Sequence, residues 1–170
     1  MDEIKKKVED LKSKLDTRSN TIIINTISAL RKVEPYPGVI GLLAALHANT
    51  TNANIKIDLV NFFNDLKEQQ LADEVINAIN ASNSMETRNM LISSCWQSGL
   101  DYSAYFDEFI GYCIDGDYIS SLESFTILEP LIIDLDKDIL KQHSDRIKKS
   151  IDSQSPDKQK LLYALIKLLE

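Results

Sequence analysis

Apolar and polar positions along this chain follow helical spacing almost throughout. Val, Ile and Thr nowhere alternate with polar residues over a long stretch, as a half-buried strand requires. Within the helical spacing one short pattern recurs five times: an apolar residue, a second one four positions later, then a polar residue. The instances are Leu11–Leu15–Asp16, Leu42–Leu46–His47, Val75–Ile79–Asn80, Ile110–Ile114–Asp115 and Ile147–Ile151–Asp152. The second apolar residue recurs at steps of 31, 33, 35 and 37 residues. A near-constant period in this range marks an array of structural repeats.

Each pattern closes a first helix, and a polar turn then leads into a second. The turns carry Ser, Thr, Asn or Asp suited to cap the next helix, as in Asn49–Asn52, Ser82–Ser84 and Asp115-Gly116-Asp117. Ser155-Pro156 offers the clearest start, a capping residue followed by proline at the first helical position. The second helices form a ladder of their own: Ile27–Leu30–Val33, Leu59–Val60–Phe63–Leu66, Leu91–Ile92–Cys95, Leu122–Phe125–Leu128 and Leu161–Leu162–Leu165–Leu168. Two ladders with matching steps predict five helix pairs, over residues 1–34, 35–67, 68–99, 100–134 and 135–170. No Gly/Ser-rich linker separates them. They are expected to stack into one domain over 1–170, each pair leaning on its neighbours.

The pattern resembles HEAT-like (armadillo-type) repeats, in their degenerate bacterial form. Asp152 and Lys158 match the family's acidic residue after the first helix and basic residue early in the second; Asn80 with Arg88 and His47 with Lys56 are looser versions. The resemblance implies an all-α, right-handed α-solenoid whose second helices line the inner face. It implies a role in binding other proteins, because most such arrays do so. A minority act on DNA, as glycosylases do, or as lyases on tetrapyrrole chromophores, and that is the alternative class.

Composition changes this picture little. Apolar residues make up 44% of the chain, enough for a sizeable core, and charged residues 26%. The net charge of −7 disfavours nucleic acid and anionic lipid as partners. The start, Met1-Asp2-Glu3-Ile4-Lys5-Lys6-Lys7, has no apolar run behind it, so no secretory signal is expected. No apolar run is long enough for a membrane span. Cys95 and Cys113 lack CxxC spacing and read as buried thiols in a reducing compartment, so the expected location is the cytoplasm.

Candidate chemistry is sparse. His143 lies on the stripe Ile139–His143–Ile147–Ile151 and reads as a half-buried core histidine; His47 reads as bonded to its own turn. Asp134, Asp136 and Asp138 have the spacing of a calcium loop but lack its Gly and distal Glu. No serine sits in a GxSxG context, and no GxGxxG or Walker loop occurs. No catalytic residue, cofactor or metal site is expected, and the chain is read as a non-enzyme. Ile4, Val8, Leu11 and Leu15 make a stripe too short for a coiled coil, suited to cap one end of the array.

The more informative surface is the polar face of the second helices: Asp58, Asn61 and Asn64, then Asn89, Ser93 and Gln97, then Ser120 and Ser124. Neutral amides and hydroxyls suit a peptide backbone and not a run of phosphates. Asn61, Asn64, Ser93, Trp96 and Gln97 are therefore the expected protein-binding residues. The partner is an unidentified protein or peptide, and the chain is expected to be a monomer or weak dimer.

Overall fold

The structure, a computed structural model, describes residues 2–170, so Met1 of the first predicted repeat lies outside the described residues. Among those residues every regular element is helical. The chain forms two compact units, Met1–Leu100 and Asp101–Glu170.

The first unit holds six α-helices: α1 (Asp2–Leu15), α2 (Asn20–Leu30), α3 (Val39–Asn49), α4 (Ala53–Asn64), α5 (Ala72–Ala81) and α6 (Met85–Ser98). They pair as α1 with α2, α3 with α4 and α5 with α6. First helices also pack in succession, α1 on α3 and α3 on α5, and second helices likewise, α2 on α4 and α4 on α6. The central helices α3 and α4 therefore bury residues toward three or more neighbours. Ile27, Val39, Ile40, Leu43, Leu59 and Phe63 are all fully enclosed, with Val75, Ile79, Leu91 and Ile92 beyond them. Phe62 meets Phe63 edge-to-face at 5.6 Å.

The second unit repeats the scheme with α7 (Phe106–Asp115), α8 (Tyr118–Leu131), α9 (Lys137–Ser150) and α10 (Pro156–Leu169). Here α7 packs on α8 and α9, and α10 on α8 and α9. Its core is built on Phe109, Ile110, Leu128, Ile147, Leu162 and Leu165.

Most helix starts follow the sequence. The side chains of Ser19, Asn52, Ser84, Asp117 and Asp136 each accept a hydrogen bond from a backbone N–H in the first turn of the following helix. Ser155 is the exception: its backbone takes the cap position and Pro156 opens α10, but its side chain makes no capping bond. Gly38 begins α3 at φ 93, and its N–H is received by the Glu74 carboxylate at 2.9 and 3.1 Å. That bond ties the start of α3 to the first turn of α5.

The expected ladders are mostly buried, with corrections. In α3 the core face is Ile40, Leu43, Ala44 and His47, whereas Leu42 and Leu46 are only partly buried. The two leucines line a cavity of about 360 Å³ with Leu15 and Ile23 instead. Nearly every residue of Val39–Leu46 is apolar, so the sequence does not select a face and packing does. Val33, Leu122 and Leu168 are exposed, at 56%, 41% and 42%. Ser120 and Ser124, expected on a solvated face, are fully buried.

The buried serines have a packing reason. Short side chains let α8 lie close against α7, where larger ones would hold the helices apart. The Ser121 hydroxyl donates to the Cys113 carbonyl at 2.7 Å, and the Cys113 thiol donates back to the Ser121 carbonyl at 3.4 Å. Burial pushes the Cys113 thiol up to about 12, so it stays protonated and unreactive.

Lys158 closes the same corner. The family resemblance pairs it with Asp152; in the structure its ammonium donates to the carbonyls of Ile114 and Gly116, at 2.5 and 2.6 Å. Those carbonyls end α7, where unpaired acceptors and the negative end of the helix dipole favour a cation. Lys158 is buried, and burial lowers its pKa, opposed by Cys113, Asp115 and Asp117.

Candidate functional site

On α4, Ile57, Asn61 and Asn64 recur at helical spacing and share one face; on α6, Glu86, Met90, Ser93 and Gln97 do the same. Because α4 packs on α6, the two faces lie side by side. Two rungs connect them. Lys56 and Glu86 form an ion pair at 2.6 Å. Asn64 donates its amide N–H to Gln97 Oε1 at 2.9 Å, and Gln97 donates onward to the Ser93 hydroxyl at 2.8 Å.

A cavity of about 270 Å³ opens on this face, lined by Ile57, Val60 and Met90, with Asn61 at its side and the Lys56–Glu86 pair at its edge. Ile57 is 57% exposed and Trp96 48%. Exposed apolar side chains of that size beside orderly amides are a surface to be covered. From Lys56 to Asn64 the helix rises roughly 12 Å, which matches about four residues of extended chain.

All five expected binding residues lie on α4 or α6. Asn64, Ser93 and Gln97 are joined in one hydrogen-bonded string. Asn61 flanks the cavity, and Trp96 neighbours Gln97 on the same helix. The sequence reading missed Ile57, Val60 and Met90. Val60 reads from the sequence as part of the apolar ladder of its helix, and nothing in the pattern singles out Ile57 or Met90.

His47 reaches this site from beneath. Expected to bond its own turn, it is buried instead, with Nδ1 2.9 Å from the Thr87 hydroxyl of α6. In that turn the Thr50 hydroxyl accepts from the Asn52 N–H instead. Burial, foremost, lowers the His47 pKa below the usual histidine value, with Glu86 opposing and Lys56 adding to the shift.

His143 is half-buried as expected. Its ring lies 5.2 Å from that of Phe106, and Asp107 is shared with Arg146, which it meets at 2.7 Å. Burial again lowers its pKa most, with Asp107 opposing.

Both histidines are proton-poor in the fold relative to the unfolded chain. Stability is therefore full above about pH 6.5 and declines as pH falls through that value toward the lowered folded pKa values. The melting temperature should drop between about pH 7 and pH 5, above the range where the carboxylates titrate. His47→Gln, which retains a polar partner for Thr87, should flatten this decline. An unchanged slope in that variant would mean that His47 titrates as it does in the unfolded chain.

Among the described residues, no group of three or more His, Cys, Asp or Glu side chains could hold a metal ion. Among them too, no helix is long and apolar enough to cross a membrane. A scan against protein-family models finds no match, and a search of the curated proteins finds none.

Proposed function

We propose that this chain is a helical-repeat binding module of the HEAT-like kind, which takes an extended peptide segment of another protein across the α4–α6 face. The observation that carries the reading is the pairing of an apolar cavity with a hydrogen-bonded amide string on one exposed face. The Ile57–Val60–Met90 cavity has room for one medium-sized apolar side chain. The amides of Asn61, Asn64 and Gln97 present donors and acceptors to the flanking peptide backbone. The succession of α1, α3, α5 and of α2, α4, α6 suits a stacked α-solenoid, whose right-handed twist remains part of the family resemblance, with α4 central among the second helices of this unit. A surface held by neighbours loses less entropy on binding than a mobile one. In this reading the protein works in the cytoplasm and carries out no catalysis of its own.

The test is a quadruple variant, Asn61→Ala, Asn64→Ala, Ser93→Ala and Gln97→Ala. Exposed helix positions tolerate alanine, so the melting temperature should stay within a few degrees of the parent. Capture of the native partner from lysate, read by mass spectrometry, should fall several-fold. The same proteins retrieved at the same yield would refute the assignment of this face.

A further inference from the structure

The α8 helix is inverted over its first two turns. Ser120, Ser121 and Ser124 are buried at 1%, 0% and 0%, while Tyr118, Ile119 and Leu122 are exposed at 45%, 51% and 41%. On a helix, positions 118, 119, 122, 126 and 129 fall on one side, and 120, 121, 124, 127 and 128 on the other. The burial follows that division without exception. Ile133, just past the helix end, extends the outer stripe at 85% exposure. The buried serines are explained by close packing on α7. Nothing in the unit's own packing explains large apolar residues on the outside, since that arrangement stabilises a folded chain only if something covers them.

The electrostatics name what would cover them. Between residues 101 and 138 there are ten acidic side chains and a single basic one, Lys137. Glu129 lies in the stripe itself, and Asp134 follows Ile133; both are exposed. An acidic partner or an anionic lipid surface would be repelled. A cationic one would be drawn in and oriented. The stripe runs along the axis of a fourteen-residue helix, a length matched by about four turns of a second helix.

We infer that the outward face of α8 is a docking surface for a basic amphipathic helix of another protein. Its aliphatic side chains cover Ile119, Leu122 and Ile133, and its Lys or Arg residues lie against Glu129 and Asp134. This surface lies in the second unit and is separate from the α4–α6 face, so either can fail without the other.

The test uses the full chain and two fluorescein-labelled lysine–leucine peptides of identical composition, each about four turns long. One places all its leucines on one helical face, and the other distributes them around the helix. In anisotropy titrations at about 150 mM salt, the one-faced peptide should bind at least roughly tenfold more tightly than its isomer. Ile119→Ser with Leu122→Ser should remove most of that difference, with the helical circular dichroism unchanged. Glu129→Gln should reduce the salt dependence, and Ile133→Ser gives a second reading outside α8 should the double variant fold poorly. Equal binding of the two peptides, no binding of either, or unchanged binding by the serine variants would each overturn the inference. So would a concentration-dependent dimer in sedimentation velocity that the double variant abolishes, since a second copy would then own the face.

Discussion

Ile79→Asp should unfold the first unit, whereas Leu46→Asp, the same chemical change at the same place in the preceding repeat pattern, should leave it folded. Ile79 is completely enclosed, where α5 packs on both α3 and α6. A carboxylate there has no partner and no water, and the cost of burying it is at least about 4 kcal/mol, a large part of a typical domain's stability. Leu46 is only partly buried and borders the open cavity of about 360 Å³ beside Lys12 and Asn49. Its replacement carboxylate reaches water, and the expected loss is on the order of 1 kcal/mol. Trp96 is the lone tryptophan and belongs to this unit, so its emission in a urea titration reads the outcome directly. Equal loss in both variants would mean that α3 is phased by Leu42 and Leu46 after all.

Gly116→Ala should be the most damaging single-methyl addition in the second unit. A Cβ built on Gly116 lies 2.4 Å from Ser120 Cβ and 2.6 Å from the Tyr112 carbonyl oxygen. The backbone there is extended, at φ −74 and ψ 176, so the penalty is steric and owes nothing to conformational freedom. Neither neighbour yields easily: one atom is backbone, and the other is the first carbon of a buried side chain. Relief requires α7 and α8 to part, which weakens the Ser121–Cys113 pair and the Lys158 contacts at the same corner. Overpacking of this kind costs roughly 1–3 kcal/mol. Five of the six tyrosines lie in this unit, so near-ultraviolet circular dichroism at the tyrosine wavelengths during urea unfolding weights it, while Trp96 emission follows the first unit separately. Gly111→Ala is the control, since its new Cβ meets nothing closer than the Arg146 guanidinium, the far end of a long side chain, at 3.4 Å. Parent-like unfolding of Gly116→Ala would show that the turn has slack the packing does not suggest.

The two histidines show how far sequence reading reaches. His143 sits in a stripe with three isoleucines, and the stripe alone placed it at the edge of the core. His47 follows a run in which almost every residue is apolar, so the helix has no face that the sequence can prefer. Rotation of α3 by about one residue, set by α1, α4, α5 and α6 together, turned His47 inward and Leu46 outward. The amides of α4 and α6 were legible because polar residues at helical spacing between buried ones have nowhere to go but the surface. The cavity beside them was not, because an exposed Ile57 and a buried Ile55 look alike until their neighbours are in place.

By itself the sequence determined that the chain is helical and where most helices begin. Each of these is a local matter: apolar spacing, a capping side chain, the polar turn at the end of a pattern. Only the tertiary structure decided which side of an all-apolar helix faces inward, and that Lys158 would end α7 across more than forty residues rather than pair with Asp152. It also decided that α8 would bury its serines and leave Ile119 and Leu122 outside. Such choices depend on how closely two helices approach. That distance is set by side chains from both partners at once, and no single stretch of chain contains it.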